Sequence, residues 1–298
     1  MELIHFLQSF SSDILNFIML IITSLGSFYI PVFVICIIYW CYNKDIGFKL
    51  AIIMSCSGVL NNIVKNLVQS PRPIGVDGIE SVGEFSATGY SFPSGHTQNI
   101  TVFGTSLSIF TRSKMVFFIS IIVIFLVGLS RIYLGLHWPI DVLGGIILAI
   151  IVSIILNEVL IKLDIFKTNI FIGSLVLILF LGIFLVGNNV IGVDYYKTMG
   201  IFIGVFLGHL FEYRYVNFSP EASNVDNVMK IIIGASTTIL LFVVLNYIFK
   251  MFYLPLFFYV IKYLILGFWM FGAIPLIFKL SNLYYKEAYE ITNTKYRK

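Results

Sequence analysis

Hydrophobic residues form long, continuous runs along this chain and do not alternate with polar residues. In a bilayer only helices and closed barrels satisfy their own backbone hydrogen bonds, and a helix needs about 20 apolar residues to cross. Because the runs are continuous, they predict helices. We expect spans near residues 5–25, 28–43, 47–69, 96–111, 115–132, 138–160, 168–187, 197–214, 228–249 and 253–279.

The start of the chain allows two interpretations. Residues 14–41 form either one long kinked span or two short helices broken at Gly26 and Ser27. Composition supports the membrane assignment, because 59% of the 298 residues are hydrophobic, 11% are charged and the mean hydropathy is +0.97. Such values lie far outside those of soluble domains. The predicted fold class is an all-α polytopic membrane protein.

Charge and cysteine content exclude several classes of function. The net charge of +4 is too small and too dispersed to indicate a nucleic-acid partner. Cys36, Cys41 and Cys56 lie in apolar stretches without metal-ligand spacing, so we interpret them as small buried hydrophobic residues. The N-terminus lacks a basic region and a small-residue cleavage site, so no cleaved signal peptide is expected.

The short loops predict the orientation in the membrane. Lys and Arg occur in every second loop, and such loops remain in the cytoplasm. The residues concerned are Lys44, Lys49, Arg112, Lys114, Lys162, Lys167, Arg214 and Lys230, together with the basic C-terminal tail. The C-terminus is therefore expected in the cytoplasm. Three polar clusters between residues 65 and 141 are expected on the extracytoplasmic face.

The first cluster contains Lys65, near the end of a predicted span, and Arg72, which lies between Pro71 and Pro73. A proline on each side prevents the helix from continuing. A flexible ammonium and a planar guanidinium could then converge on one anion. Taken alone, the two side chains could equally extend towards lipid headgroups.

The second cluster, Pro93-Ser94-Gly95-His96, begins the predicted span at residue 96. Ser94 is a good N-cap, and Gly95 lets the backbone approach a ligand closely. The free N–H groups and the positive end of the helix dipole favour an anion. His96 lies beside them and could pass a proton to a departing oxygen. Taken alone, the segment could be an ordinary helix start.

The third cluster contains Arg131, His137 and Asp141. Asp141 lies four residues after His137, in the first turn of the next predicted helix. A carboxylate there can accept a hydrogen bond from one imidazole nitrogen and leave the other nitrogen free as a nucleophile. A structural His–Asp pair is the alternative, although ionisable groups in membrane helices are usually functional.

Together the clusters read Lys-x6-Arg-Pro, Pro-Ser-Gly-His and Ser-Arg-x5-His-x3-Asp. This pattern resembles the type 2 phosphatidic acid phosphatase superfamily at every motif position. The segment 88–92, Thr-Gly-Tyr-Ser-Phe, resembles bacterial membrane-bound members of the undecaprenyl-diphosphate phosphatase type. The resemblance covers roughly residues 10–160. It implies a six-helix phosphatase core over residues 1–160. The apolar runs then predict about four additional transmembrane helices and a short cytoplasmic tail over residues 161–298.

The resemblance also implies a metal-independent phosphoryl transfer through a phosphohistidine, without a cofactor. By this analogy His137 attacks phosphorus, Asp141 orients it, and His96 protonates the leaving oxygen. The groups that bind the phosphate oxygens are Lys65, Arg72, Ser94, Gly95 and Arg131. The expected partners are membrane lipids and a lipid phosphate substrate. Undecaprenyl diphosphate is the leading candidate, while phosphatidylglycerophosphate, phosphatidate and sphingoid-base phosphates stay open.

Two other functions fit parts of the pattern. A phosphotransferase would pass the phosphate from the same histidine to another lipid or sugar. A headgroup-binding transporter would use the clusters only for binding, although it has no need of a His–Asp pair beside a second histidine. Oligomeric state stays open.

Two features of the C-terminal region also lead to expectations. The glycines at 200, 204 and 208 share one helix face, which favours helix packing over dimerisation. His209 and Glu212 are expected near the inner end of that helix, close to Arg214 and headgroups.

Overall fold

The computed structural model of the protein describes residues 1–163, 168–177, 192–252 and 255–284. These residues form helices and loops, and no strand occurs among them, so the predicted all-α fold is confirmed. The helices are α1 (Glu2–Gln8), α2 (Asp13–Ser24), α3 (Tyr29–Cys41), α4 (Lys44–Val68), α5 (Gly95–Thr111), α6 (Lys114–Tyr133), α7 (Pro139–Lys162), α8 (Thr168–Leu177), α9 (Val193–Phe211), α10 (Asn224–Met251), α11 (Phe258–Phe268) and α12 (Ile274–Leu280).

Several of these helices are long and apolar enough to cross a membrane. Within the described residues, α4, α6, α7 and α10 qualify singly, and α11 qualifies together with α12 over Phe258–Leu280. The outward faces are apolar, as on α6, where Phe118 is 62% exposed and Phe125 is 66% exposed. Water disfavours such faces, whereas lipid accepts them. The protein is therefore a multi-pass integral membrane protein, as predicted.

The predicted first span, residues 5–25, is wrong. α1 ends at Gln8, and α2 begins only after Ser12, whose hydroxyl accepts the Leu15 N–H at 3.3 Å. The polar residues at 11–13 favour a new helix start over a continuous span. Together, α2 and α3 are long and apolar enough to cross a membrane, with a bend of 44° between them. Residues 14–41 therefore fit the kinked-span alternative.

The chain forms two compact units that interleave along the sequence. Among the described residues, unit 1 contains 1–32, 56–163 and 192, and unit 2 contains 33–55, 168–177, 193–252 and 255–284. The last nine of the thirteen residues of α3 and the first half of α4 thus belong to unit 2. The division at residue 160 into a catalytic core and an extension stays a prediction.

In unit 1, α5 packs against α6 and α7 and presents a polar inner face. Gln98 donates to Ser57 Oγ at 2.7 Å and accepts from Asn61 Nδ2 at 2.6 Å. Further along α5, Asn157 of α7 donates to Ser106 Oγ at 2.9 Å. Buried polar groups in a membrane protein require such partners. These bonds fix the helix whose first turn carries the second cluster.

In unit 2, α9 packs closely on α11, and the glycine stripe lies at the contact. A Cβ atom at Gly204 would clash with the Leu264 carbonyl, and one at Gly208 would lie 3.1 Å from Phe268 Cα. The prediction that these glycines serve helix packing is confirmed. The predicted span 168–187 lies partly outside the described residues, of which 168–177 are helical.

The prediction that His209 and Glu212 face Arg214 and headgroups is wrong. His209 is buried and stacks on Phe48 with ring centroids 3.6 Å apart. Glu212 is buried in an ion pair with Lys44 at 3.1 Å. Glu212 begins a π-helical turn at the end of α9, and its Oε1 also accepts the Phe218 N–H at 2.9 Å. These partners bury the carboxylate inside the protein, which the spacing along α9 did not indicate.

Candidate active site

The three polar clusters come together within unit 1, although up to 76 residues separate their members. Hydrogen bonds to backbone carbonyls join them. The Ser94 N–H donates to the Asp141 carbonyl at 2.9 Å, which links the second cluster to the third. The Trp138 indole donates to the Pro71 carbonyl at 3.0 Å, which links the third cluster to the first. The predicted meeting of the clusters therefore occurs.

His137 lies directly before α7, and Asp141 occupies the first turn of that helix. Trp138 is the N-cap and Pro139 the first helical residue, a position that proline favours. His137 Nδ1 lies 3.3 Å from Asp141 Oδ2, which also accepts the Trp138 N–H at 2.8 Å. Both side chains are buried, so the spacing of four residues produces the predicted His–Asp pair.

The opposite nitrogen of the His137 ring contacts Arg72. His137 Nε2 lies 3.0 Å from Arg72 NH1. A guanidinium can only donate, so Nε2 must be the acceptor and carries no proton. The proton therefore lies on Nδ1, facing Asp141. One ring nitrogen thus faces the carboxylate, as predicted, but the other is bonded to Arg72 and is not free as the sequence analysis expected.

Burial holds the pKa of His137 well below its ordinary value of 6.5, and the positive charges of Arg131, Arg72 and Lys65 lower it further, with His96 adding a smaller effect. All four of these predicted residues therefore lie within electrostatic range of the ring. The imidazole is neutral at neutral pH, as a nucleophile must be.

Arg72 uses all five of its N–H groups on protein acceptors. The acceptors, at 2.8 to 3.2 Å, are the carbonyl oxygens of Thr88, Gly89, Tyr90 and Leu136 and the His137 Nε2. The Lys65 ammonium also donates to the Tyr90 carbonyl. Burial lowers the pKa of Arg72 to about 10, so the guanidinium stays charged at neutral pH. Both cations of the first cluster thus donate hydrogen bonds to backbone carbonyl oxygens.

Arg131 is buried at the end of α6 with 0% exposure. Its NH1 donates to Thr23 Oγ1 at 3.1 Å and to Ser86 Oγ at 3.0 Å. Its Nε and NH2 atoms have no hydrogen-bond partner among the described residues. An unsatisfied buried donor costs about 1–3 kcal/mol, and more when the group is charged. These N–H groups are therefore ready donors for an anion.

The second cluster lies at the start of α5. Ser94 is the N-cap, as predicted, but its hydroxyl bonds to Thr97 Oγ1 at 3.0 Å and caps no backbone N–H. A Cβ atom added at Gly95 would meet nothing closer than Asn61 Oδ1 at 3.6 Å, so there is room for a ligand. The His96 ring makes no hydrogen bond to another described residue. Its nitrogens remain available for proton transfer.

Sequence reasoning missed Ser91, a buried residue with 0% exposure. Its hydroxyl donates to Asp141 Oδ2 at 2.5 Å and lies 3.3 Å from His137 Nδ1. The sequence analysis included Ser91 only within the 88–92 segment that resembles bacterial members and gave it no role, since a lone serine has no spacing that marks it. Thr23 and Ser86, which hold Arg131, were missed for the same reason.

The three cysteines lie where the sequence analysis expected them. Cys36, Cys41 and Cys56 are buried free thiols, as predicted. Within the part of the chain that the structure describes, no group of three or more His, Cys, Asp or Glu side chains could hold a metal ion.

Comparison with known proteins finds two matching family profiles. The PAP2 superfamily profile matches residues 46–163, and the profile of the PAP2 superfamily phosphatase transmembrane extension matches residues 196–287. The first range contains all three polar clusters. The second begins within α9 and extends past α12.

Individual relatives match about half of the chain. An undecaprenyl-diphosphatase of Sulfolobus acidocaldarius is 32% identical over 44% of this chain and 64% of its own length, slightly under two thirds. Phosphatidylglycerophosphatase B of Bacillus subtilis is 33% identical over 46% of this chain and 71% of its own length. A crystal structure of a transmembrane PAP2 type phosphatidylglycerolphosphate phosphatase from Bacillus subtilis aligns with 55% of this chain and 86% of its own, at 27% identity and a TM-score of 0.48.

Proposed function

The chain belongs to the PAP2 superfamily, and from this membership we propose that it is a membrane lipid phosphatase that works through a phosphohistidine. One observation supports this function above all. The His137 ring lies between a carboxylate at Nδ1, 3.3 Å away, and a guanidinium at Nε2, 3.0 Å away. This arrangement leaves the proton on Nδ1 and directs the basic nitrogen towards a cation that attracts phosphate.

The reaction has two steps. In the first, Arg72 NH1 leaves His137 Nε2 for a phosphate oxygen, and Nε2 forms a bond to phosphorus. The bond from phosphorus to the lipid oxygen breaks, and His96, which takes up a proton beside the bound phosphate, gives that proton to the departing oxygen. In the second, water attacks phosphorus, the phosphorus–nitrogen bond breaks, and His96 takes the proton from the water. The products are inorganic phosphate and the lipid alcohol, or the lipid monophosphate when the substrate is a diphosphate.

Lys65, Arg72 and Arg131 stabilise the negative charge on the transferring phosphoryl group, together with Ser94 and the Gly95 amide. Phosphoryl transfer depends mainly on positioning and on such charge stabilisation. The two unpaired N–H groups of Arg131 support this role. Lys65 and Arg72 exchange the Tyr90 carbonyl for phosphate oxygens when the substrate enters.

The three cations take the place that magnesium has in kinases, so the enzyme works without a metal ion. Full activity in excess chelator is the expected result. Loss of activity in chelator, with recovery on addition of a divalent ion, would contradict it.

Undecaprenyl diphosphate is the proposed substrate, hydrolysed on the extracytoplasmic face. An undecaprenyl-diphosphatase is among the relatives, as are phosphatases of other lipid headgroups. The alternation of basic loops supports the outward face. A lipid in the outer leaflet could present its headgroup to the site while its chain stays in the bilayer.

A phosphate-release assay in detergent tests the function and the substrate together. The panel contains undecaprenyl diphosphate, phosphatidylglycerophosphate, phosphatidate and a sphingoid-base phosphate, with the His137→Ala protein as blank. We expect fastest release from the diphosphate. Phosphate transfer to an added lipid acceptor, without release of inorganic phosphate, would instead indicate a phosphotransferase.

A further inference from the structure

Asp141 accepts hydrogen bonds unevenly. Its Oδ2 atom is within reach of three groups: the Ser91 hydroxyl at 2.5 Å, the Trp138 N–H at 2.8 Å and the His137 Nδ1 at 3.3 Å. Its Oδ1 atom is buried and has no partner among the described residues. The carboxylate is therefore oriented through one oxygen.

We propose that Ser91 is a positioning residue for the nucleophile: its hydroxyl holds the Asp141 carboxylate so that Oδ2 faces the His137 Nδ1 proton. This inference rests on the proposed function of His137. Ser91 contacts neither phosphorus nor the leaving oxygen in this proposal, and it acts through Asp141.

A backbone hydrogen bond to the segment of the first cluster fixes the position of Ser91. Its backbone N–H donates to the Ser70 carbonyl at 2.8 Å, two residues before Arg72. The side chain is buried, so water does not compete for its hydroxyl. Ser91 thus connects the segment that carries the first cluster to the carboxylate of the third.

The hydroxyl proton of Ser91 has one strong acceptor. A hydrogen bond to a charged carboxylate is shorter and stronger than one between neutral groups, and the 2.5 Å distance to Oδ2 agrees with this. The second neighbour, His137 Nδ1, is already a donor, because Nε2 accepts from Arg72. Ser91 must therefore donate to Asp141 and can accept from Nδ1.

The Ser91→Ala enzyme should lose turnover without losing substrate affinity. Loss of a hydrogen bond to a charged group predicts a fall in kcat on the order of ten- to a hundredfold, with KM little changed. Ser91→Thr, which keeps the hydroxyl, should recover part of the rate. Ser108→Ala is the matched control, because that buried hydroxyl donates to the Gly104 carbonyl of its own helix, away from the proposed site.

The pH profile separates positioning from mere packing. Removing a donor leaves more negative charge on Asp141, which favours the protonated imidazole. The acid limb of kcat/KM should therefore move to higher pH in Ser91→Ala and remain in place in Ser108→Ala. Wild-type kcat together with an unmoved acid limb in Ser91→Ala would overturn the proposal.

A spectroscopic test does not depend on turnover. The chain has four histidines, so a protein labelled with ¹⁵N only in histidine gives few signals, and His137→Gln assigns the one of interest. The wild type should show a protonated Nδ1 and a bare Nε2 at His137, and Ser91→Ala should shift the Nδ1 signal. Should Ser91→Ala fail to fold, Ser91→Cys supplies a weak donor of similar size. An unshifted signal in the folded variant contradicts the proposal.

The His137→Ala variant separates a failure of the phosphohistidine proposal from a failure of the role proposed for Ser91. If that variant hydrolyses substrate at the wild-type rate, the phosphohistidine proposal fails. If it is inactive while Ser91→Ala is normal in rate, pH profile and spectrum, only the role of Ser91 fails.

Discussion

At the scale of single residues, the proposed mechanism gives each group around the His137 ring a separate task, so the activities of the variants should differ in a fixed order. His137→Ala should abolish turnover, because no covalent intermediate can form. Asp141→Asn should fold normally yet lose about three to four orders of magnitude in kcat, since it favours the wrong tautomer. Lys65→Ala and Arg72→Ala should each lose on the order of a hundredfold.

Single-turnover rates of phosphate release measure this order. Thermal unfolding in detergent is the control that the variants are folded. Equal activity across the four variants would mean that the wrong residues have been chosen.

The lowered pKa of His137 also has a consequence for stability. In the unfolded chain the ring binds a proton near pH 6.5, whereas in the folded protein it resists protonation until lower pH. Between these values the unfolded state binds more protons, so stability is unaffected above pH 6.5 and falls as the pH decreases below it.

Unfolding midpoints at pH 7.5 and pH 5.5 test this. The wild type should lose more stability on acidification than His137→Gln does. His5→Gln, a histidine substitution at an exposed position, is the control. Equal losses in the wild type and His137→Gln would contradict the direction given for the His137 pKa.

At the scale of elements, the backbone carbonyls of segment 88–90 accept hydrogen bonds from Lys65 and Arg72, the cations that we propose bind phosphate. Gly89 lies at the centre of this segment with φ +61, and no atom approaches within 4 Å of a Cβ placed there. Gly89→Ala therefore strains the backbone by about 1–2 kcal/mol without a clash. The strain weakens the carbonyl contacts that compete with phosphate.

Gly89→Ala should consequently bind vanadate, a phosphate analogue, several-fold more tightly than the wild type. The measurement is the inhibition constant in the phosphate-release assay. Gly75→Ala is the matched control, because Gly75 also has positive φ and open space, in the same loop. Weaker vanadate binding in Gly89→Ala, or identical shifts in both variants, would refute competition by the segment.

Local sequence patterns predicted some features of these elements and could not predict those that depend on tertiary contacts. The three clusters could be found because rare charges in an apolar chain occur at motif spacing, as with Arg72, His137 and Asp141. The bend between α2 and α3 could be stated only as an alternative. At the bend a Cβ on Gly26 would lie 2.6 Å from the His96 carbonyl, a tertiary contact that no local pattern encodes. Ser91 and the buried Glu212 depend on such contacts too.

At the scale of the whole molecule, the orientation in the membrane decides which leaflet supplies the substrate. The native cysteines are buried, so a new exposed cysteine gives a clear labelling signal. Asp77 is exposed in the loop between the first and second clusters, and Arg112 is exposed between α5 and α6.

Asp77→Cys should react with a membrane-impermeant maleimide in intact cells. Arg112→Cys should react only after the membrane is permeabilised, because its loop is expected in the cytoplasm. The reverse pattern would place the site on the inner face and exclude substrates of the outer leaflet.

The most direct test of the account is to trap the intermediate. Purified enzyme mixed with undecaprenyl diphosphate is quenched in alkali within the first turnover, digested and analysed by mass spectrometry. The phosphohistidine mechanism predicts an acid-labile phosphoryl group on the peptide that contains His137, and none in the His137→Ala protein. A phosphoryl group on another residue, or a first turnover without any phosphoenzyme, would contradict it.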